Sequence, residues 1–221
     1  MIAIAIDGPA GAGKSTIAKR IARELGFTYV DTGALYRAIA LYIMRLGIET
    51  DNAAAVEAAL QNLSVDIGHV QGEQRVMTNG EDVSDAIRTP EVSMGASSVS
   101  AVPAVRAFLL ELQRDLARRY DVIMDGRDIG TVVLPNARIK IFLSATPEDR
   151  ARRRHLEMIE KGMESSVETV LADIIKRDEN DRNRPIAPLK PAEDALMADT
   201  TGETLEQSVA RITKLVKERL S

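Results

Sequence analysis

A short β-branched run, Ile2 to Ile6, ends at Asp7-Gly8-Pro9 and passes at once into a glycine-rich stretch and then a helical repeat. That succession constrains the fold more than any other feature of the chain. A brief apolar run bounded by turn residues has the pattern of a strand buried on both faces in a parallel sheet. Ile17, Ala18, Ile21, Ala22 and Leu25 then recur at helical spacing, and Gly26 supplies a stop. The alternation repeats at Tyr29-Val30, Val122 to Met124, Ile139 to Leu143 and Leu196 to Ala198, each run followed by a polar turn and a helical pattern. The expected class is α/β, a parallel sheet flanked by helices.

Two helix starts are marked chemically. Thr146-Pro147-Glu148-Asp149 offers an N-cap hydroxyl, a first-turn proline and two acids, and Thr204 to Gln207 fits a capping box. The last helix is expected to set Leu205, Val209, Ile212 and Val216 on one face. Two stretches depart from the alternation. Residues 63–88 carry LSVDI, QRVMT and a turn at Asn79-Gly80, which reads as a small antiparallel insertion. Residues 150–190 are charged and Arg-rich, with Gly162, Pro185 and Pro188, and read as a mobile helical flap rather than a packed layer.

Composition bounds the partners. With 45% hydrophobic and 28% charged residues in 221, the chain buries a real core and is not disordered. The absence of cysteine removes disulfides, thiolate metal sites and thiol nucleophiles. The start, MIAIAID, lacks a basic segment and soon reaches a carboxylate, so neither a signal peptide nor a membrane span is expected, and the cytoplasm is the default location. A net charge of −4 argues against broad nucleic-acid binding. Within the cations, however, 21 are Arg and 8 are Lys. The planar Arg fork grips phosphate or carboxylate oxygens two at a time.

Gly8-Pro9-Ala10-Gly11-Ala12-Gly13-Lys14-Ser15 fits G-x-x-x-x-G-K-[ST] and lies between the expected strand and helix. Such a loop turns backbone N–H groups inward, adds the positive potential of a helix start, brings Lys14 to the outer phosphates and offers the Ser15 hydroxyl to Mg²⁺. Thr16 adds a second hydroxyl. The motif implies a nucleoside triphosphate and leaves open a GTPase switch, a motor-like ATPase or a small-molecule kinase. No N-K-x-D guanine motif is present, and the chain is short for a motor.

The remaining chemistry favours a kinase. Asp31-Thr32-Gly33-Ala34-Leu35-Tyr36-Arg37 follows the second strand, and Asp125-Gly126-Arg127-Asp128 ends a central one, so both belong to the sheet edge where α/β proteins bind ligands. Asp31 or Thr32 also suits a helix cap. Arg150, Arg152, Arg153 and Arg154 open the flap, and Arg177, Asp181 and Arg184 share one helical face. Two readings stand for these cations: a solvated face, or guanidinium groups that converge on transferring phosphoryl oxygens. No side chain stands out as a general base. A phosphate acceptor, already largely ionised at neutral pH, needs none.

Taken together, GPAGAGKS, DTGALYR, IRTPEVSMGASSVSAVPAVR, DGRDIGTVV, RARRR and IIKRDENDRNRPIAPL make the chain resemble bacterial cytidylate kinases, nearly from end to end. The resemblance implies one P-loop kinase domain over residues 1–221, with a nucleoside monophosphate-binding part at 32–105 that holds the insertion, and an Arg-rich lid at 150–190. It implies transfer of the ATP γ-phosphoryl to CMP or dCMP, with Mg²⁺, by a monomer. By motif position, it assigns Thr32, Arg37, Arg127 and Arg177 to the acceptor phosphate, with Tyr36 beside them. Asp181 and Arg184 fall at the ribose and nearby phosphate, and Ser97, Arg106 and Asp128 at the base. Arg153 and Arg154 match the lid arginines that act with Lys14, Arg127 and Arg177 in catalysis. The base chemistry agrees, because cytosine offers an amino donor beside ring N3 and O2 acceptors. Thr32 stands where some members carry Ser. Asp31 and Asp125 both remain candidates to complete the Mg²⁺ shell. The alternatives are a P-loop kinase for another small acceptor and a nucleotide-binding regulatory module that recruits a protein through 63–88.

Overall fold

The computed structural model describes residues 1–70, 73–160 and 162–220. β1 (Ala3–Asp7) runs through the glycine-rich turn into α1 (Lys14–Leu25). Next come β2 (Thr28–Asp31), α2 (Thr32–Arg45) and α3 (Ala53–Leu60). β3 (Val65–Val70), β4 (Glu73–Thr78), β5 (Glu81–Asp82), a 3-10 turn at Ala86–Arg88, α4 (Pro90–Val99) and α5 (Pro103–Arg119) follow. Then come β6 (Val122–Gly126), a π-type turn at Ile129–Val133, β7 (Ile139–Ser144), α6 (Pro147–Glu160), α7 (Val167–Asn183), β8 (Leu196–Asp199) and α8 (Leu205–Leu220). These elements gather into two compact units, Met1–Tyr29 with Tyr120–Ser221, and Val30–Arg119.

In the first unit the sheet order is β2-β6-β1-β7-β8, and β2 leads out of the unit at its end. β1 pairs in parallel with both β6 and β7, and β7 with β8. The register sets Asp7 opposite Gly126 and Phe142, so the turn after β1 and the D-G-R-D segment after β6 leave the same edge of the sheet side by side. Ile4, Ile6, Ile17, Ile21, Ile123, Ile141, Leu143, Ile212 and Val216 form the buried core between strands and helices. Each such side chain contributes about 1.5–3 kcal/mol on burial. Gly26 ends α1 in the left-handed conformation expected of a glycine stop, its N–H on Ala22 O.

The capping box of α8 is reciprocal: Gln207 N–H donates to Thr204 Oγ1 at 3.2 Å and Thr204 N–H to Gln207 Oε1 at 2.8 Å. Leu205 departs from expectation. As the first residue of α8 it remains 38% exposed, while Ile212 and Val216 are buried. The 150–190 stretch also differs from the expected unpacked flap. α6 and α7 enclose a small core of Ala151, Val170 and Ile174, lined by Met158, Val167 and Leu171. Its few apolar positions are masked in the sequence by the surrounding charge.

The second unit is built on α2, α4 and α5, whose Leu35, Ile39, Ile43, Val99, Val105 and Leu109 share one core with Val56, Val65 and Val76. β3, β4 and β5 form the antiparallel insertion. Asn79 and Gly80 join β4 to β5 with φ of 48° and 81°, the left-handed pair that a two-residue hairpin turn of this kind requires. Among the described residues no single helix is long and apolar enough to cross a membrane.

Candidate active site

The glycine-rich turn is set by sterics. Gly8 has a φ of 149°, and a Cβ there would lie 1.9 Å from Leu143 O, so only glycine fits against β7. Gly11 and Gly13 are also left-handed, and Gly13 caps α1 without any side-chain hydrogen bond. The first N–H groups of α1 are thus not claimed by a capping side chain, the arrangement that favours phosphate at a helix start. Pro9, Ala10 and Ala12 are buried, and Ser15 and Thr16 lie exposed on the first turn of α1. Lys14 is buried, and its Nζ donates to Pro9 O at 2.8 Å. Burial and the nearby Arg127 hold its ammonium well below the ordinary range, against the pull of Asp125, Asp181 and Asp7.

Ser15 Oγ donates to Asp125 Oδ2 at 2.9 Å, and Tyr29 Oη to Asp125 Oδ1 at 2.7 Å. A hydroxyl beside a buried carboxylate is a hard-oxygen donor set, which fits Mg²⁺. Asp31 is occupied otherwise. It caps α2 by accepting the Ala34 N–H at 2.9 Å and pairs with Arg37 Nη2 at 2.9 Å. Of the two candidate carboxylates, Asp125 is the one in contact with Ser15.

Beyond Asp125 the chain turns through Gly126, Arg127 and Asp128 into the π-type turn. Arg127 Nε donates to Asp181 Oδ2 at 2.7 Å, and Arg184 Nη2 to Asp128 Oδ1 at 3.3 Å. Burial opposes the charge on Arg127, but Asp181, Asp125 and Asp178 keep its pKa above the ordinary value. Burial likewise opposes the Asp181 charge, and Arg127, Arg184 and Arg177 outweigh it, holding that carboxyl below its usual range. Asp181, near the end of α7, and Arg184, its extended C-cap, thus meet the D-G-R-D turn. Arg127, Asp181, Asp128 and Arg184 thus form a cluster of alternating sign, in which all but the part-exposed Arg127 are buried.

The flap cations divide. Arg150 is 1% exposed, so it is not a flap cation reaching for phosphate. Its guanidinium donates to Ala145 O, to Ala10 O in the glycine-rich turn, and twice to Asp178 at 2.6 and 3.2 Å. Arg153 Nη2 donates to Thr200 O at 2.6 Å and to Asp149 at 3.2 Å, which ties α6 to the loop after β8. Arg152 and Arg154 are surface residues paired with Asp149 and Glu157.

In the second unit α2 carries Thr32, Tyr36 and Arg37, α4 carries Ser97 and α5 carries Arg106. Arg106 lies 5.6 Å over the Tyr36 ring and donates to Ser100 O at 3.2 Å. Thr32 is buried at the first position of α2. Ser97 Oγ and Arg37 Nε are buried atoms with no hydrogen-bond partner. Gln74 of β4 anchors the strand that leads to Thr32: its Oε1 accepts the Asp31 N–H at 2.8 Å and its Nε2 donates to Asp31 O at 3.2 Å. That role links the insertion to the D-T-G segment.

Sequence reading missed Asp7, Tyr29, Gln74 and the Arg150–Asp178 pair. Asp7 had the clearest signal, a carboxylate closing an otherwise apolar strand. A solved structure of an uncharacterized protein from Eubacterium ventriosum superimposes with a TM-score of 0.56 at 14% identity, covering 98% of each chain, which is a likeness of fold alone. A cytidylate kinase of Carboxydothermus hydrogenoformans is 47% identical over 96% of both chains. Those of Caldicellulosiruptor saccharolyticus and Desulfitobacterium hafniense are 50% and 51% identical, over 97% and 98% of this chain and 95% and 93% of theirs. The family profile described as cytidylate kinase matches residues 4–218, and the chain belongs to the cytidylate kinase family.

Proposed function

We propose that this enzyme transfers the γ-phosphoryl of ATP to CMP or dCMP and that Asp128 selects cytosine. ATP phosphates are assigned to Gly8 through Thr16, with Lys14 at the outer phosphates. Ser15 and Asp125 would hold Mg²⁺, and Tyr29 steadies the second oxygen of Asp125. When bound, the ion neutralises charge on the donor phosphates. Phosphoryl transfer of this kind depends on positioning and charge stabilisation more than on proton removal. The acceptor phosphate is assigned to Thr32, Arg37, Arg127 and Arg177, with Tyr36 beside it. Asp181 and Arg184 take the ribose and nearby phosphate, and Arg153 and Arg154 the lid's part in transfer.

The observation that carries the reading is the D-G-R-D turn. Asp128 is buried, ionically paired with Arg184 and one residue from Arg127, which is itself paired with Asp181. One short segment thereby presents a carboxylate for the base and a guanidinium for the phosphate. The buried, unpartnered Ser97 Oγ supports a base-reading role for that residue with Arg106. Uracil sets a carbonyl where cytosine has its amino group, and facing Asp128 with it costs about 1–3 kcal/mol. Asp128→Asn is expected to reduce the CMP-over-UMP preference in kcat/KM by about 10–100-fold. Equal losses for the two acceptors would refute the assignment. We propose further that it works as a cytoplasmic monomer whose partners are ATP and CMP or dCMP.

A further inference from the structure

The π-type turn Ile129–Val133 begins with Asp128 at its N-cap, yet the Asp128 carboxylate makes no capping hydrogen bond. Asp is among the preferred capping residues, and the usual cap has β-region torsions. Asp128 instead has φ −145° and ψ 25°. The two N–H groups that follow it are satisfied from elsewhere. Ile129 N–H donates to Asp7 Oδ1 and Gly130 N–H to Asp7 Oδ2, each at 2.7 Å. Asp7 is buried on β1, held in register between β6 and β7, so its carboxylate is presented by the interior of the sheet. Gly130 eases that approach, since a Cβ there would lie 3.3 Å from Asp7 Oδ2 and 3.2 Å from Lys140 Cδ, a tight contact on both sides.

We propose that Asp7 is a positioning residue for acceptor specificity: it caps the Ile129–Val133 turn in place of Asp128, and so keeps the Asp128 carboxylate turned toward Arg184 and the acceptor base. The inference rests on the reading of Asp128 as the base-selecting group. The physical logic is a competition for one carboxylate. The start of the turn needs an acceptor for its N–H groups. Without Asp7, Asp128 already stands at the N-cap position, and a shift of its backbone toward β-region torsions would let it cap its own turn. It would then leave Arg184 and lose its aim at the base. Arg127, the preceding residue, would shift less, because Asp181 holds it independently.

The test compares Asp7→Asn and Asp7→Ala with Asp128→Asn and the unaltered enzyme, measuring kcat/KM for CMP and for UMP with Mg-ATP. A crystal structure is determined for each Asp7 variant. Asp7→Asn has the volume of Asp7 and retains one of two acceptors, so it carries the test if Asp7→Ala does not fold. The expected result is a fall in the CMP-over-UMP ratio of about tenfold or more in Asp7→Ala and a smaller fall in Asp7→Asn. In the structures, the Asp128 carboxylate is expected on an N–H of its own turn. If Asp128→Asn loses the preference while both Asp7 variants keep it, or if Asp128 stays on Arg184 in their structures, the proposal is overturned and base selection by Asp128 stands. If Asp128→Asn keeps the preference, the base assignment has failed and the proposal falls with it.

Discussion

The paired charges of the first unit contrast with the Ser97 hydroxyl of the second, although buried side-chain atoms without a hydrogen-bond partner also occur in the first unit, at Thr131 and Thr213. In the first unit Arg127 is paired with Asp181, Arg184 with Asp128, Arg150 with Asp178 and Ser15 with Asp125. In the second unit Ser97 Oγ is buried without a hydrogen-bond partner, as is Arg37 Nε, although Arg37 Nη2 is paired with Asp31. A paired buried charge is part of the fold's own electrostatics, and removing one member leaves the other uncompensated. An orphaned buried group contributes nothing to the fold that its removal would forfeit, and is recovered only by a ligand. The contrast predicts that breaking one of these pairs changes stability and catalysis together, whereas removing the Ser97 hydroxyl changes acceptor binding alone.

Lys14 gives the largest expected effect and an instructive exception. Lys14→Ala should lower CMP-dependent ADP release by about 10²–10³-fold or more. It should not lower the urea midpoint, because burial opposes the Lys14 charge. Near wild-type turnover would remove the glycine-rich loop from the donor site. Asp178→Ala, which strands the 1%-exposed Arg150, should cost about 3–5 kcal/mol in urea unfolding. Ser97→Ala, by contrast, should change stability by no more than about 0.5 kcal/mol while raising the KM for CMP severalfold. A large stability loss at Ser97 would break the comparison.

Smaller effects follow from pH. The Lys14 pKa lies below its ordinary value in the folded chain, so the unfolded chain binds more protons above the folded pKa. This group's contribution to stability is therefore least favourable at low pH and improves as pH rises toward the ordinary ammonium value. Polyphosphate binding restores its charge, so ATP binding should take up a fraction of a proton near neutral pH. Calorimetry in buffers of different ionisation enthalpy measures that uptake. Asp7 has the opposite sign. Burial raises its carboxyl to about 6 from 3.8, against the Gly130 and Ile129 N–H groups, so its contribution to stability falls as pH rises through that window and is level outside it. Near neutrality Asp7 is charged and Lys14 partly charged, each at a cost to the fold, as expected where charge serves ligands or their neighbours. The smallest effect belongs to the surface. Arg154→Gln should leave stability within about 1 kcal/mol, since its partner Glu157 is exposed, while lowering kcat more than it raises the ATP Kd.

What was legible in the sequence was local. The strand–turn–helix over residues 3–25, the Asn79-Gly80 turn and the Thr204–Gln207 box follow from neighbours within a few residues, and the structure contains all three. The roles of Asp7, Tyr29 and Arg150 depend on partners 122, 96 and 28 residues away, which only sheet register and helix pairing bring together. The Arg150 misreading has a plain cause. In a run of four cations no composition rule separates the one whose α6 position faces the glycine-rich turn from the one tied to the loop after β8 and the two on the surface. Acceptor identity came from the ordered motifs, whereas local chemistry alone reached phosphoryl transfer to an anion.

The most direct test is an acceptor panel in a coupled ADP-release assay with Mg-ATP, offering CMP, dCMP, UMP, AMP, GMP and shikimate separately to the unaltered enzyme. Strong stimulation by CMP and dCMP, with UMP at least about tenfold weaker in kcat/KM, is the predicted result. Stimulation led by another acceptor, or equal use of CMP and UMP, would contradict it.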